Sequence, residues 1–150
     1  MPKLRRLART VAFQALTAAL LRSDEAELSL EQSLQYVVDE FNPELTGQEE
    51  FAAELLRGVF TARKVIDEKI TAFAPQWPLN KLSTIERALL ELGSYELMFE
   101  TATPLAVIVN EWVDIAKEFG DETAGKFING VLSNLGHAVR SSEKTPSAKL

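Results

Sequence analysis

The stretch from Ser83 to Leu132, STIERALLELGSYELMFETATPLAVIVNEWVDIAKEFGDETAGKFINGVL, constrains the fold more than any other part of the chain. It reads as three helices separated by two short joints. Ser83, Thr84, Ile85 and Glu86 form a capping box, in which the Ser83 hydroxyl accepts from the Glu86 amide and the Glu86 carboxylate reaches back. Thr103-Pro104 opens the next helix, with proline at the first helical position, where a missing N–H costs nothing. Gly120 ends that helix just after Lys117, and Asp121 is placed to cap the third.

The rest of the chain is also helical in pattern. Residues 3–22 read as a first helix. At about 100° per residue, Lys3, Arg6, Thr10, Gln14 and Thr17 make one polar stripe, with Arg5 and Arg9 beside it. Leu4, Leu7, Ala8, Val11, Ala15 and Ala18 lie opposite, and Phe13, Leu16 and Leu20 make the second half apolar almost all round. Such a helix starts at the surface and runs into a core.

Ser23 to Glu27 is an acidic connection, and a second helix spans about Leu30 to Phe41, capped by Ser29 and Gln32. Asn42-Pro43 stops it, because the residue before proline is pushed out of the α region. Thr46 to Glu49 is a further capping box. It opens a third helix to about Phe73, with Phe51, Leu55, Val59, Ala62, Ile66, Ile70 and Phe73 at helical spacing. Ala74 to Pro78 breaks that helix and is the expected subdomain joint, with Trp77 and Leu79 packed down on it. Leu82 belongs to a short extra turn, and Ser141 to Leu150 is expected to be a frayed tail. Gly58, Gly93 and Gly130 fall inside helices at about 1 kcal/mol each, which close helix–helix approach would explain. The expected fold is all-α, with about six to seven helices: residues 1–74 as a three-helix subdomain and 79–140 as a second.

Bulk numbers exclude several classes of function. The 150 residues contain no cysteine, which rules out disulfides, thiolate zinc sites and a cysteine nucleophile. No apolar run approaches the roughly 18 residues of a membrane span. The opening residues lack a signal-peptide pattern, so a soluble cytoplasmic protein with no membrane association is expected. The single histidine, His137, follows Ser133 and Asn134 at helical spacing rather than a carboxylate, so a Glu-x-x-His di-iron bundle fails. His137 reads as a satisfied or solvent-facing side chain. No phosphate-cradling glycine loop is present. No catalytic residues, metal or cofactor are expected.

Charge is more informative in its distribution than in its net value of −6. Residues 1–23 carry Lys3, Arg5, Arg6, Arg9 and Arg22 with no acid, whereas residues 24–60 carry ten acids against Arg57 alone. The basic segment therefore acts as a local patch, within a Debye length of about 8 Å at physiological salt. Three arginines in the first turns of an exposed helix offer planar forks suited to phosphate oxygens and to stacking on bases.

Several segments have recognisable wording. IERALLELGSYEL, then P-x-x-V-I-V-N-E, A-K-x-F-G and K-F-I-N-G-V-L resemble, in order and spacing, the NusB family of bacterial transcription antitermination factors. Arg5-Arg6-Leu7-Ala8-Arg9 and Gln14-Ala15-Leu16 resemble the arginine-rich opening helix of that family. Together these matches cover a little under half of the chain.

The resemblance implies two perpendicular-packed helical subdomains and a non-enzymatic RNA-binding factor. With NusE, a small-subunit ribosomal protein, such a factor binds single-stranded boxA RNA and joins the RNA polymerase antitermination complex during ribosomal RNA transcription. It carries over an RNA-facing role to Arg5, Arg6 and Arg9; Lys3, Gln14 and Lys126 are further candidate RNA contacts, and Glu86, Tyr95 and Trp112 candidate partner contacts. Leu7 stands where the family often has another basic residue, which should weaken the electrostatic part of binding.

Structural roles compete with several of these assignments. Lys117 reads better as a partner of its own helix end, and Lys126 equally as an RNA contact or as a chain lying over the core. Phe127 reads as core, and Asn110 and Asn129 as buried hydrogen-bonding residues. Glu86 is explained by its cap alone, and Trp112 and Phe99 mark a docking surface only if partly uncovered. As surface residues, Arg6 and Arg9 would be replaceable by alanine with little loss of stability. Three other readings stay open: an interaction module using the acidic surface of residues 24–60, a stand-alone relative of the RNA methyltransferase-associated domain, and a homodimer hiding the basic face.

Overall fold

The computed structural model describes residues 2–22, 30–40 and 48–140. Among them are six α-helices and no strand: α1 (Pro2–Arg22), α2 (Leu30–Glu40), α3 (Gln48–Phe73), α4 (Thr84–Phe99), α5 (Leu105–Phe119) and α6 (Glu122–Val139). A 3-10 turn, Leu79–Lys81, precedes α4, and Leu82 caps its end. The Ser29 and Thr46 caps, the Asn42-Pro43 stop, the acidic connection and the tail from Ser141 lie outside the described residues.

The chain divides into two compact units, Met1–Arg63 and Lys64–Leu150, so the change of unit falls inside α3. It adjoins a kink at Ala62, whose φ of −104° and ψ of 18° leave the helical region. No proline marks that position, and the run of apolar residues continues through it. The Ala74–Pro78 break then belongs to the second unit, where the Ala74 amide closes the last turn of α3 onto the Ile70 carbonyl at 2.9 Å.

In the first unit α1 packs on α2. From Ala8 onward, Ala8, Val11, Ala12, Phe13, Ala15, Leu16 and Ala19 are all buried, as an apolar second half demands. Ala52, Leu55, Leu56 and Val59 of α3 are buried as well.

In the second unit α4, α5 and α6 pack pairwise on one another. Leu89, Leu90, Leu92 and Leu97 of α4 are buried, as are Ile108, Trp112 and Ile115 of α5 and Ile128, Leu132 and Leu135 of α6. Gly93 allows the close approach: a Cβ there would stand 2.6 Å from Leu132 Cδ1 and 3.4 Å from Trp112 Cδ1. Gly130 has no such purpose, because a Cβ there would meet nothing within 4 Å.

The ends of these helices follow the sequence signals. The Ser83 Oγ accepts from the Glu86 amide at 3.1 Å, and the Glu86 carboxylate accepts from the Ser83 amide at 3.0 Å. Asp121 caps α6 by accepting from the Ala124 amide at 2.8 Å. Pro104 is the N-cap of α5 rather than its first helical residue, and its carbonyl accepts from Val107 and Ile108. Ser83→Ala is expected to cost about 1 kcal/mol, read as a fall of about 3 °C in the thermal midpoint.

Candidate nucleic-acid interface

The N-terminal arginines occupy three different environments within the first unit. Arg5 is exposed, and its guanidinium carbon stands 3.9 Å from the centroid of the Phe51 ring of α3. One helical turn on, the guanidinium of Arg9 lies 5.2 Å from the same ring, but Arg9 is only 4% exposed. Arg6 is half-buried, and its carbonyl accepts from the Thr10 hydroxyl at 3.0 Å. Gln14 is half-buried too, while the Lys3 side chain lies outside the described set.

Arg9 is therefore not a freely solvated member of the patch. Its spacing placed it on the polar side of α1, but its burial comes from neighbours that a helical wheel does not contain. Arg9→Ala is expected to cost about 1–2 kcal/mol, against the near-neutral change expected of a surface residue. Thermal unfolding of Arg9→Ala beside Arg5→Ala measures the difference. Arg57, the one base of the acidic segment, pairs with Glu50 at 3.0 Å in an exposed ion pair, a contact of small energetic weight.

A second site lies within the other unit. Trp77, Glu86, Thr123, Lys126 and Phe127 line a surface pocket of about 430 Å³. Trp77 is 52% exposed and meets Phe127 edge-on, with ring centroids 5.9 Å apart. The pocket thus presents an exposed indole, a lysine and a carboxylate beside the N-terminal turn of α6. Such a mixture suits an amphipathic ligand such as a base with its phosphate. Lys126 and Glu86, read from the sequence as RNA-facing and partner-facing, are brought together here. Trp77 was missed as a site residue, because its place in a helix break pointed to packing.

Other candidates are displaced from the roles their sequence suggested. Trp112 is fully buried and donates from Nε1 to the Glu96 carboxylate at 2.7 Å, so it presents no surface to a partner. Its spacing on α5 was that of a core residue, and the core took it. Tyr95 is half-buried, its ring 5.4 Å from that of Phe99, which is 49% exposed.

Phe127 lines the pocket instead of filling the core, and Asn110 and Asn129 are exposed. The Asn129 side chain accepts from the Ser133 hydroxyl at 3.0 Å one turn on. Lys117 approaches Glu122 at 3.9 Å, and its stem crosses Gly125, where a Cβ would lie 2.8 Å from Lys117 Cγ. His137 is exposed. Among the described residues no group of three or more His, Asp or Glu could hold a metal ion, and no helix is long and apolar enough to cross a membrane.

Fold and site together define an all-helical domain whose distinctive surface features are a basic opening helix and a small aromatic pocket holding a lysine. The sequence model of the NusB family matches residues 6–137. The chain is 37% identical over 141 residues to the transcription antitermination protein NusB of Desulfitobacterium hafniense (strain DSM 10664 / DCB-2), covering 93% of each chain. It is 34% identical to that of Bacillus subtilis (strain 168), covering 87% of this chain and 93% of the relative.

Among solved structures it superposes on NusB of T. maritima with a TM-score of 0.76 at 33% identity, covering 88% of this chain and 89% of the other. A crystal structure of the antitermination factors NusB and NusE in complex with dsRNA is similar at a TM-score of 0.77 and 31% identity. That match covers 92% of this chain and 99% of the other. The chain belongs to the NusB family.

Proposed function

We propose that this chain is a transcription antitermination factor that acts by binding and not by catalysis. With NusE it holds boxA RNA and presents it to the RNA polymerase antitermination complex, chiefly during transcription of ribosomal RNA. The observation that carries this reading is the pocket of the second unit, where Lys126 and Glu86 line one cavity with the exposed Trp77. Lys126 supplies a cation suited to a phosphate and Glu86 a carboxylate suited to a protein neighbour, and their sharing one pocket supports contacts with both partners there. Arg5 adds a planar, exposed cation on the opening helix, able to engage a phosphate in a fork. Similarity to a NusB that was crystallised with NusE and dsRNA supports NusE and an RNA as partners.

Divided labour between two moderate contacts gives one stronger one, because the second contact forms within an existing complex. The test is fluorescence anisotropy with a boxA-like single strand and a scrambled strand. Lys126→Ala is expected to weaken boxA binding about 3- to 10-fold and to lower the salt dependence by about one phosphate contact. Equal binding of both strands by the native chain in the presence of NusE would overturn the reading.

A further inference from the structure

The arginine patch is not a set of equivalent charges, and a residue outside it organises it. Arg5 and Arg9 sit one helical turn apart on α1, and both guanidinium groups are held by the single Phe51 ring of α3, at 3.9 Å and 5.2 Å. The outer one, Arg5, is exposed, whereas the inner one, Arg9, is 4% exposed. An exposed arginine on a helix ordinarily samples many rotamers, and fixing it on a phosphate costs much of that freedom. A guanidinium lying over an aromatic face gives up part of that freedom before the ligand arrives, and keeps its N–H edge outward for hydrogen bonds.

We infer that Phe51 is a positioning residue that holds Arg5 ready for a phosphate of single-stranded RNA, and that Arg5, and not the buried Arg9, touches the ligand. This rests on the proposed RNA-binding function and adds to it a division of roles and a residue outside the arginine-rich segment. The acidic neighbourhood on α3 is consistent with selection by geometry rather than by bulk charge, since Glu49, Glu50 and Glu54 flank Phe51 in the sequence.

The test is a double-mutant cycle on the full chain with NusE, titrated with a boxA-like single strand at several salt concentrations. Arg5→Ala should weaken binding and reduce the salt slope by about one phosphate contact. Phe51→Leu should weaken binding by roughly three- to ten-fold, with binding restored in Phe51→Tyr, which keeps the ring. The pair Arg5→Ala with Phe51→Leu should be no weaker than Arg5→Ala alone. Phe51→Met serves as a second ring-free variant should Phe51→Leu fail to fold, and circular dichroism at the titration temperature checks each protein. Additive effects, or a ring-free variant that folds and binds like the native chain, would overturn the inference. Loss of salt-dependent binding by the native chain itself would instead overturn the RNA-binding function on which it rests.

Discussion

Trp112→Ala is expected to lower the stability of the chain by about 4 kcal/mol, a fall of some 10 °C in the thermal midpoint. The indole is fully buried between α4 and α6, where Gly93 leaves room for it and for Leu132. Its removal opens a cavity beside Gly93 of α4. It also takes from the buried Glu96 carboxylate a donor at 2.7 Å. A buried carboxylate that loses a hydrogen bond is costly in its own right, so the effect exceeds that of the apolar area alone. Trp112→Phe separates the two contributions, because it keeps most of the volume and removes the N–H. About 2 kcal/mol is expected for it, with RNA and NusE affinities unchanged when measured well below the midpoint. A specific loss of NusE binding by Trp112→Phe at full stability would restore Trp112 to the interface.

Arg140→Ala is expected to cost about 3 kcal/mol, measured by denaturant unfolding. This residue caps α6 yet spends its side chain on the end of α4. Its Nε donates to the Leu97 carbonyl at 2.9 Å, its Nη1 to the Thr103 carbonyl at 2.6 Å, and its Nη2 to the carbonyls of Glu96, at 3.1 Å, and Glu100. The last carbonyls of a helix have no partners within it and carry the negative end of its dipole, so a buried cation there is favoured twice over. At 6% exposure, water cannot take over those carbonyls when the guanidinium is lost. Arg140→Lys is expected to recover less than half of the loss, since one ammonium cannot serve carbonyls spread around a planar fork. Together Arg140 and Trp112 tie the C-terminal half of α4 to both α5 and α6.

Helix punctuation was legible because it is local. Ser83, Glu86 and Asp121 cap from within three residues, and no distant contact can alter that geometry. The all-helical class and the wording that marks the family were legible for the same reason. What needed the structure was everything set by distant partners. Arg9 and Trp112 each carried a surface or partial-surface expectation, and both are buried by elements far away in sequence. Arg140 lies at the end of the last described helix, and nothing in its neighbourhood foretells contacts with residues about forty positions earlier. The Ala62 kink has no proline, and the pairing of Trp77 with Phe127 spans fifty positions of sequence. The site was half legible: its charged members by residue type, its aromatic members only by their placement.

The most direct test of the central claim is the mutual dependence of the two partners. Binding of boxA RNA would be measured with and without saturating NusE, and binding of NusE with and without saturating boxA RNA, in one buffer. If RNA and NusE share contacts in the assembly, both affinities rise and by the same factor, since coupling between binding sites is reciprocal. A shared rise of about ten-fold or more, absent with scrambled RNA, is the expected result. Affinities that stay independent of each other, or an RNA affinity indifferent to boxA sequence, would contradict the account.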